Sequence, residues 1–237
     1  MNSTVVALNH QVHAHTRLQA SRDFSEFASQ HLFPVTLFEF VRAASEFPLV
    51  FVKDSDSGQF RSVALTGLQT GENLYQQLQQ APVYLPLAVQ NYPLVLIARD
   101  EQPDQFQLGV NTGSVLLSTH QGEPLFTGTE QSPFLQHRTQ KLLDTLEQTQ
   151  ISNAILQLLA ERQLLKPQAF RFEIVGDVIE LGGIYILDEK AFSELSADDF
   201  ADLRQRGVLP ALYAHLASLH QLNRLASMKV ALKQQGA

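Results

Sequence analysis

The chain contains no cysteine and no tryptophan, and it has only two methionines. Without cysteine it has no disulfide framework, thiol nucleophile, thiolate zinc site or cysteine-ligated iron–sulfur cluster. Positive charge is scarce. Seventeen Lys and Arg, six of them Lys, stand against 24 Asp and Glu, giving a formal net charge of −7. No run gathers four or more basic residues, which argues against nucleic-acid backbones and anionic membrane surfaces. The first residues, MNSTVVALNHQVHAH, lack a basic region and a seven-residue apolar run, so they do not read as a secretory signal. The longest apolar runs, such as 93–98, fall far short of the ~20 residues of a membrane span. A soluble cytoplasmic protein is the expectation.

What remains is enough to fold. The 237 residues are 44% apolar, with 37 Leu and 26 Gln. That composition supports a core and excludes wholesale disorder. There is no repeat at 20–50 residue periods.

The element pattern is mixed. Thr36 and Glu39 have capping-box spacing, and Leu37, Phe40, Val41 and Ala44 then form an apolar helix face. Pro48 stops that helix. LVFVK at 49–53 and residues 60–68 read as a hairpin around DSDSG. A short helix is expected at 71–80. Prolines 82, 86 and 93 predict an extended, turn-rich stretch before a strand at 94–98. Residues 106–110 and 114–118 look like a further hairpin. Ser132–Pro133 starts a helical stretch to 165, with a break expected at the polar EQTQ of 147–150.

Residues 170–187 read as a hairpin turning at Gly176–Asp177, with Gly182–Gly183 marking a bulge or a close backbone approach. Ser196 caps a helix that ends at Gly207. A last helix begins near Pro210, and its leucines at 212, 216, 219, 222 and 225 suit a core face or a homodimer seam. Hairpins and helices without βαβ alternation indicate an α+β protein, with antiparallel hairpins and a helical C-terminal half. The expected division is a β-rich region at 1–130 and a helical region with a hairpin at 131–237, joined by 121–132, or one continuous domain.

Catalytic templates fail one after another. There is no G-x-S-x-G, no phosphate loop and no H-E-x-x-H. His10, His13 and His15 form the most metal-like cluster, with His13 and His15 on one face of an expected strand, but no third ligand lies nearby. His215 and His220 are five apart, about 140° around a helix, and cannot face one ion. Asp54 and Asp56 resemble a calcium-loop start but lack the twelfth-position Glu. No catalytic residue, metal or cofactor is assigned.

The segment with Tyr84, Pro86, Tyr92 and Pro93 differs. Tyrosine combines apolar area with a hydroxyl, and proline fixes the backbone that presents it, which suits ligand or peptide recognition. Glu72, Asn73 and Tyr185 are the further candidates for such a ligand-binding surface.

The order of several pieces carries a family resemblance. They are FPLVFVK at 47–53, GENLY at 71–75, YLP at 84–86, NYPL at 91–94, GEPLF at 122–126, LLKP at 164–167, GGIYILD at 182–188 and GVL at 207–209. Over nearly its whole length the chain resembles the SapC family of bacterial proteins, named for a surface-array (S-layer) locus. The resemblance implies an association with envelope biogenesis or secretion. It also implies gene neighbours such as flavin-dependent halogenase-like proteins, cupin-like oxygenases and outer-membrane receptors. It carries over no reaction and no active-site residue. The expected function is thus a SapC-like accessory or binding protein that recognises a peptide, a protein partner or a small metabolite. The alternative is an enzyme, or an enzyme subunit, acting on an amino-acid or peptide substrate with a partner-supplied cofactor, using His10, Glu39 and Tyr92 as acid–base groups.

Overall fold

A computed structural model of the chain describes residues 4–20, 23–99 and 102–235. Their contacts fall into two compact units. One comprises Met1–Arg22 and Leu87–Glu147; the other comprises Asp23–Pro86 and Gln148–Ala237. Antiparallel sheets and helices occur together, so the class is α+β. The 121–132 stretch lies inside the first unit and holds three short strands, including Glu123–Pro124, which pairs with Arg17–Leu18.

In the first unit, strand Gln102–Asn111 pairs with Leu94–Arg99 on one side and Val5–Ala7 on the other. The expected 106–118 hairpin is therefore replaced. Leu117–Ser118 pairs instead with Arg17–Leu18. Leu18, Leu94, Val110, Leu125 and Leu135 form the buried core. His10–His13 is a short helix capped by Asn9, not the expected strand, and His13 Nδ1 lies 3.0 Å from the Asn9 carbonyl. The expected turn-rich stretch contains a helix, Leu87–Asn91, directly after Pro86. Proline there starts the helix instead of breaking it, because its missing N–H is one that a first turn leaves unbonded anyway.

Pro133–Glu161 is one helix of 29 residues. The break expected at 147–150 does not occur: Glu and Gln are good helix formers, and the segment has neither Gly nor Pro.

The second unit is built on a five-stranded sheet. Its order is Leu165–Ile174, Asp177–Leu187, Leu49–Lys53, Phe60–Leu65 and Leu32–Pro34, all antiparallel. Leu49, Val50 and Phe51 are fully buried, as a central strand requires. Phe24, Phe33, Phe47 and Tyr75 pack edge and face at 4.9–6.1 Å. Each such ring contributes about 1.5–3 kcal/mol on burial. Ser196 and Asp188 cap their helices, and Gly207 follows its helix at φ 69°.

Two details depart from expectation, the single C-terminal helix and the position of the hairpin turn, while the Gly182–Gly183 bulge is one of the two roles expected. The C-terminal pattern forms two helices, Leu209–Ser218 and Gln221–Gln235, and Leu212, Leu222 and Leu225 are buried in the unit's core. Gly182 and Gly183 sit opposite Ala169 in a bulge, with Gly183 at φ 73°. Open space surrounds both, so the bulge, and not a close approach, is their role.

The hairpin turn is Val175–Gly176, one residue earlier than Gly176–Asp177, with φ of 50° and 82°. Positive φ at both positions is type I′ geometry. A β-branched residue is strained there, and Val175 is 61% exposed. Val175→Asn is expected to raise unfolding free energy by about 1 kcal/mol, read from urea denaturation, because Asn tolerates the left-handed region.

Candidate binding surface

The helix after Thr36 begins as a 3₁₀ turn, Leu37–Glu39, and continues as Phe40–Ala43. A three-residue period sends Leu37, Phe40 and Ala43 inward. Val41, expected on the core face, is instead 63% exposed, beside Phe38 at 51%. The carboxylate of Glu39 is buried. Its Oε2 accepts from the Thr36 N–H at 2.8 Å, the capping-box arm read in the sequence. The Leu37 N–H donates to Ser152 Oγ at 3.0 Å.

Tyr84 completes this surface. Its hydroxyl donates to Glu39 Oε1 at 2.8 Å, and the Arg42 guanidinium lies over its ring at 5.4 Å from the centroid. Burial, and then the Glu39 charge, hold the Tyr84 hydroxyl well above the usual phenol range, so it stays a neutral donor. Val83, just before it in the chain, is 95% exposed. Phe38 and Val41 also border a cavity of about 180 Å³, walled by Leu37, Ile155, Val208 and Pro210 with Arg206 at its edge. The short helix thus carries Phe38 and Val41 at the cavity and Arg42 over the Tyr84 ring.

The other candidates take separate places. Asn73 caps Leu74–Gln77, accepting from the Gln76 N–H at 3.2 Å while its Nδ2 donates to the Phe27 carbonyl at 3.1 Å. Glu72 is buried, paired with Lys229, and accepts from the Leu68 N–H at 2.9 Å. Tyr185 stacks edge-on against Phe60 at 4.9 Å. Tyr92, in the first unit, accepts from Asn111 Nδ2 at 3.2 Å. Among the described residues no hydrogen bond or ring contact joins Tyr84 to Glu72, Asn73 or Tyr185.

A second cavity, of about 590 Å³, is lined by Phe192, Leu195, Phe200, Tyr213 and Leu216. Sequence reasoning missed both cavities. Their aromatic and aliphatic residues read as ordinary helix faces.

His215 lies elsewhere, fully buried. Its ring stands between the Leu49 carbonyl, 2.8 Å from Nδ1, and the Leu187 N–H, 3.0 Å from Nε2. Among the described residues, no group of three His, Asp or Glu side chains is placed to hold a metal ion. No described helix is long and apolar enough to cross a membrane.

These features define an α+β protein with an exposed apolar pair, Phe38 and Val41, beside a cavity. The chain belongs to the SapC family, whose model matches residues 8–225. No curated protein and no solved structure matches it.

Proposed function

We propose that this SapC-family chain is an accessory protein that recognises a peptide or protein partner through the face formed by Phe38, Val41, Arg42 and Tyr84. The observation that carries the reading is a pair of exposed apolar side chains, Phe38 and Val41, at a cavity, on the same short helix whose Arg42 lies over the Tyr84 ring. Tyr and Arg are the residue types that dominate binding energy at interfaces, and an apolar pocket takes an anchoring side chain. The acidic balance and the lack of basic clusters favour a protein or peptide over nucleic acid. A cytoplasmic role serving envelope or secretion pathways accords with the family resemblance.

Random peptides displayed on phage and selected on the full-length protein test this. Enriched peptides are expected to carry a large apolar residue. The double variant Phe38→Ser/Val41→Ser should weaken their binding about tenfold or more, and Tyr84→Ala severalfold. Tyr213→Ala, at the larger cavity, should leave binding unchanged. Peptides that bind the Phe38/Val41 variant as tightly as wild type would overturn the proposal. Phe38 and Val41 are exposed, so circular dichroism should find the fold intact.

A further inference from the structure

The five-stranded sheet ends on Leu165–Ile174, whose outer edge pairs with no strand among the described residues. Its mate, Asp177–Leu187, reaches the rest of the sheet only through Ile184↔Val52 and Tyr185↔Phe51. Residues 170–181 therefore extend past the sheet as a two-stranded arm. Lys233 fastens the base of its turn, pairing with Asp177 and donating to the Ile174 carbonyl at 3.2 Å.

Which backbone groups face outward follows from the turn. In a type I′ hairpin the flanking pair, Ile174↔Asp177, is hydrogen-bonded, and hydrogen-bonded pairs alternate with non-bonded ones. Phe172 and Phe170 thus bond inward to Ile179 and Leu181. Arg171 and Glu173 turn their N–H and C=O groups outward. Natural edges carry proline, lysine or bulges that block pairing. Here Lys166, Pro167 and the bulge opposite Ala169 all precede the arm, and 170–174 carries no proline, lysine or bulge, its two charges being of opposite sign.

We infer that this edge pairs antiparallel with the same edge of a second copy, centred on Phe172. That register sets Arg171 of each copy opposite Glu173 of the other, and their outward backbone groups then form hydrogen-bonded pairs. Both side chains are exposed, and among the described residues neither belongs to an ion pair within its own chain. On the opposite face the half-buried Phe172 meets its own copy, and Phe170 meets Ile174. Centring on Arg171 instead would oppose Arg to Arg, a destabilising like-charge pair. Charge therefore selects one register, and the two arms join into a four-stranded sheet.

Sedimentation equilibrium on the full chain tests the inference. Wild type is expected to move from 26.5 kDa toward twice that mass as concentration rises toward about 1 mM, the range of a small interface. Arg171→Glu and Glu173→Arg should each weaken self-association about tenfold or more. An equimolar mixture of the two variants should regain wild-type association, since each then meets opposite charges at both positions. A wild-type monomer at every concentration would overturn the proposal. So would a dimer insensitive to both substitutions, or single-variant losses that mixing does not repair.

Discussion

Replacing His215 with alanine is expected to lower the unfolding free energy by about 3–5 kcal/mol. The side chain is fully buried, and its ring packs against Phe51 at 4.8 Å. The Leu187 N–H must donate, so Nε2 is the acceptor and Nδ1 carries the proton given to the Leu49 carbonyl. Alanine leaves a cavity and two backbone groups without partners.

The same geometry sets a pH dependence. Burial pushes the imidazole pKa down from 6.5 to about 4. The unfolded chain therefore binds this proton more readily than the folded one, and stability rises with pH across that window. The contribution is complete above about 6.5, falls as pH drops through the window, and levels off below about 4. The total change is about 3 kcal/mol. Urea denaturation of wild type between these limits should show the decline. A wild-type profile that stays flat over the window would contradict the neutral assignment.

Removing Lys229 should have a comparable effect. Lys229 and Glu72 pair with side-chain exposures of 13% and 7%. Lys229→Met leaves a buried carboxylate without its cation, and a loss of about 3–5 kcal/mol is expected. The double variant Glu72→Gln/Lys229→Met should recover most of it, because a neutral amide still accepts from the Leu68 N–H. A single-variant loss below about 1 kcal/mol would mean that the pair behaves like an exposed one.

Local chemistry made much of this fold readable in advance. The Thr36–Glu39 spacing, the Ser196 cap, the Gly207 terminus and the Gly182–Gly183 bulge each express a constraint set within a few residues. Misreadings arose where one residue serves two purposes. Pro86 can end a helix or begin one. The turn at Val175–Gly176 places a β-branched residue where sequence rules exclude it. Val41 faced outward because the helix began with a three-residue period, which helical-wheel reasoning does not anticipate.

The candidate surface was less legible. Tyr84 stood out as a tyrosine among prolines, but its partners Glu39 and Arg42 are distant in sequence. Glu72 looked available because nothing near it in the chain reveals Lys229. Long-range pairing, unlike capping, leaves no local trace.

The division of the chain into interleaved units bears on how it is made. The second unit takes its first segment from Asp23–Pro86 and its second from Gln148–Ala237. A ribosome therefore releases strands Leu49–Lys53 and Phe60–Leu65 long before strand Asp177–Leu187, which completes their sheet. Until then the fully apolar Leu49–Phe51 segment has one flank unpaired, and completion of this sheet waits until Asp177–Leu187 has been synthesised. The nascent protein, and not the finished one, is the form most exposed to aggregation and most in need of a chaperone.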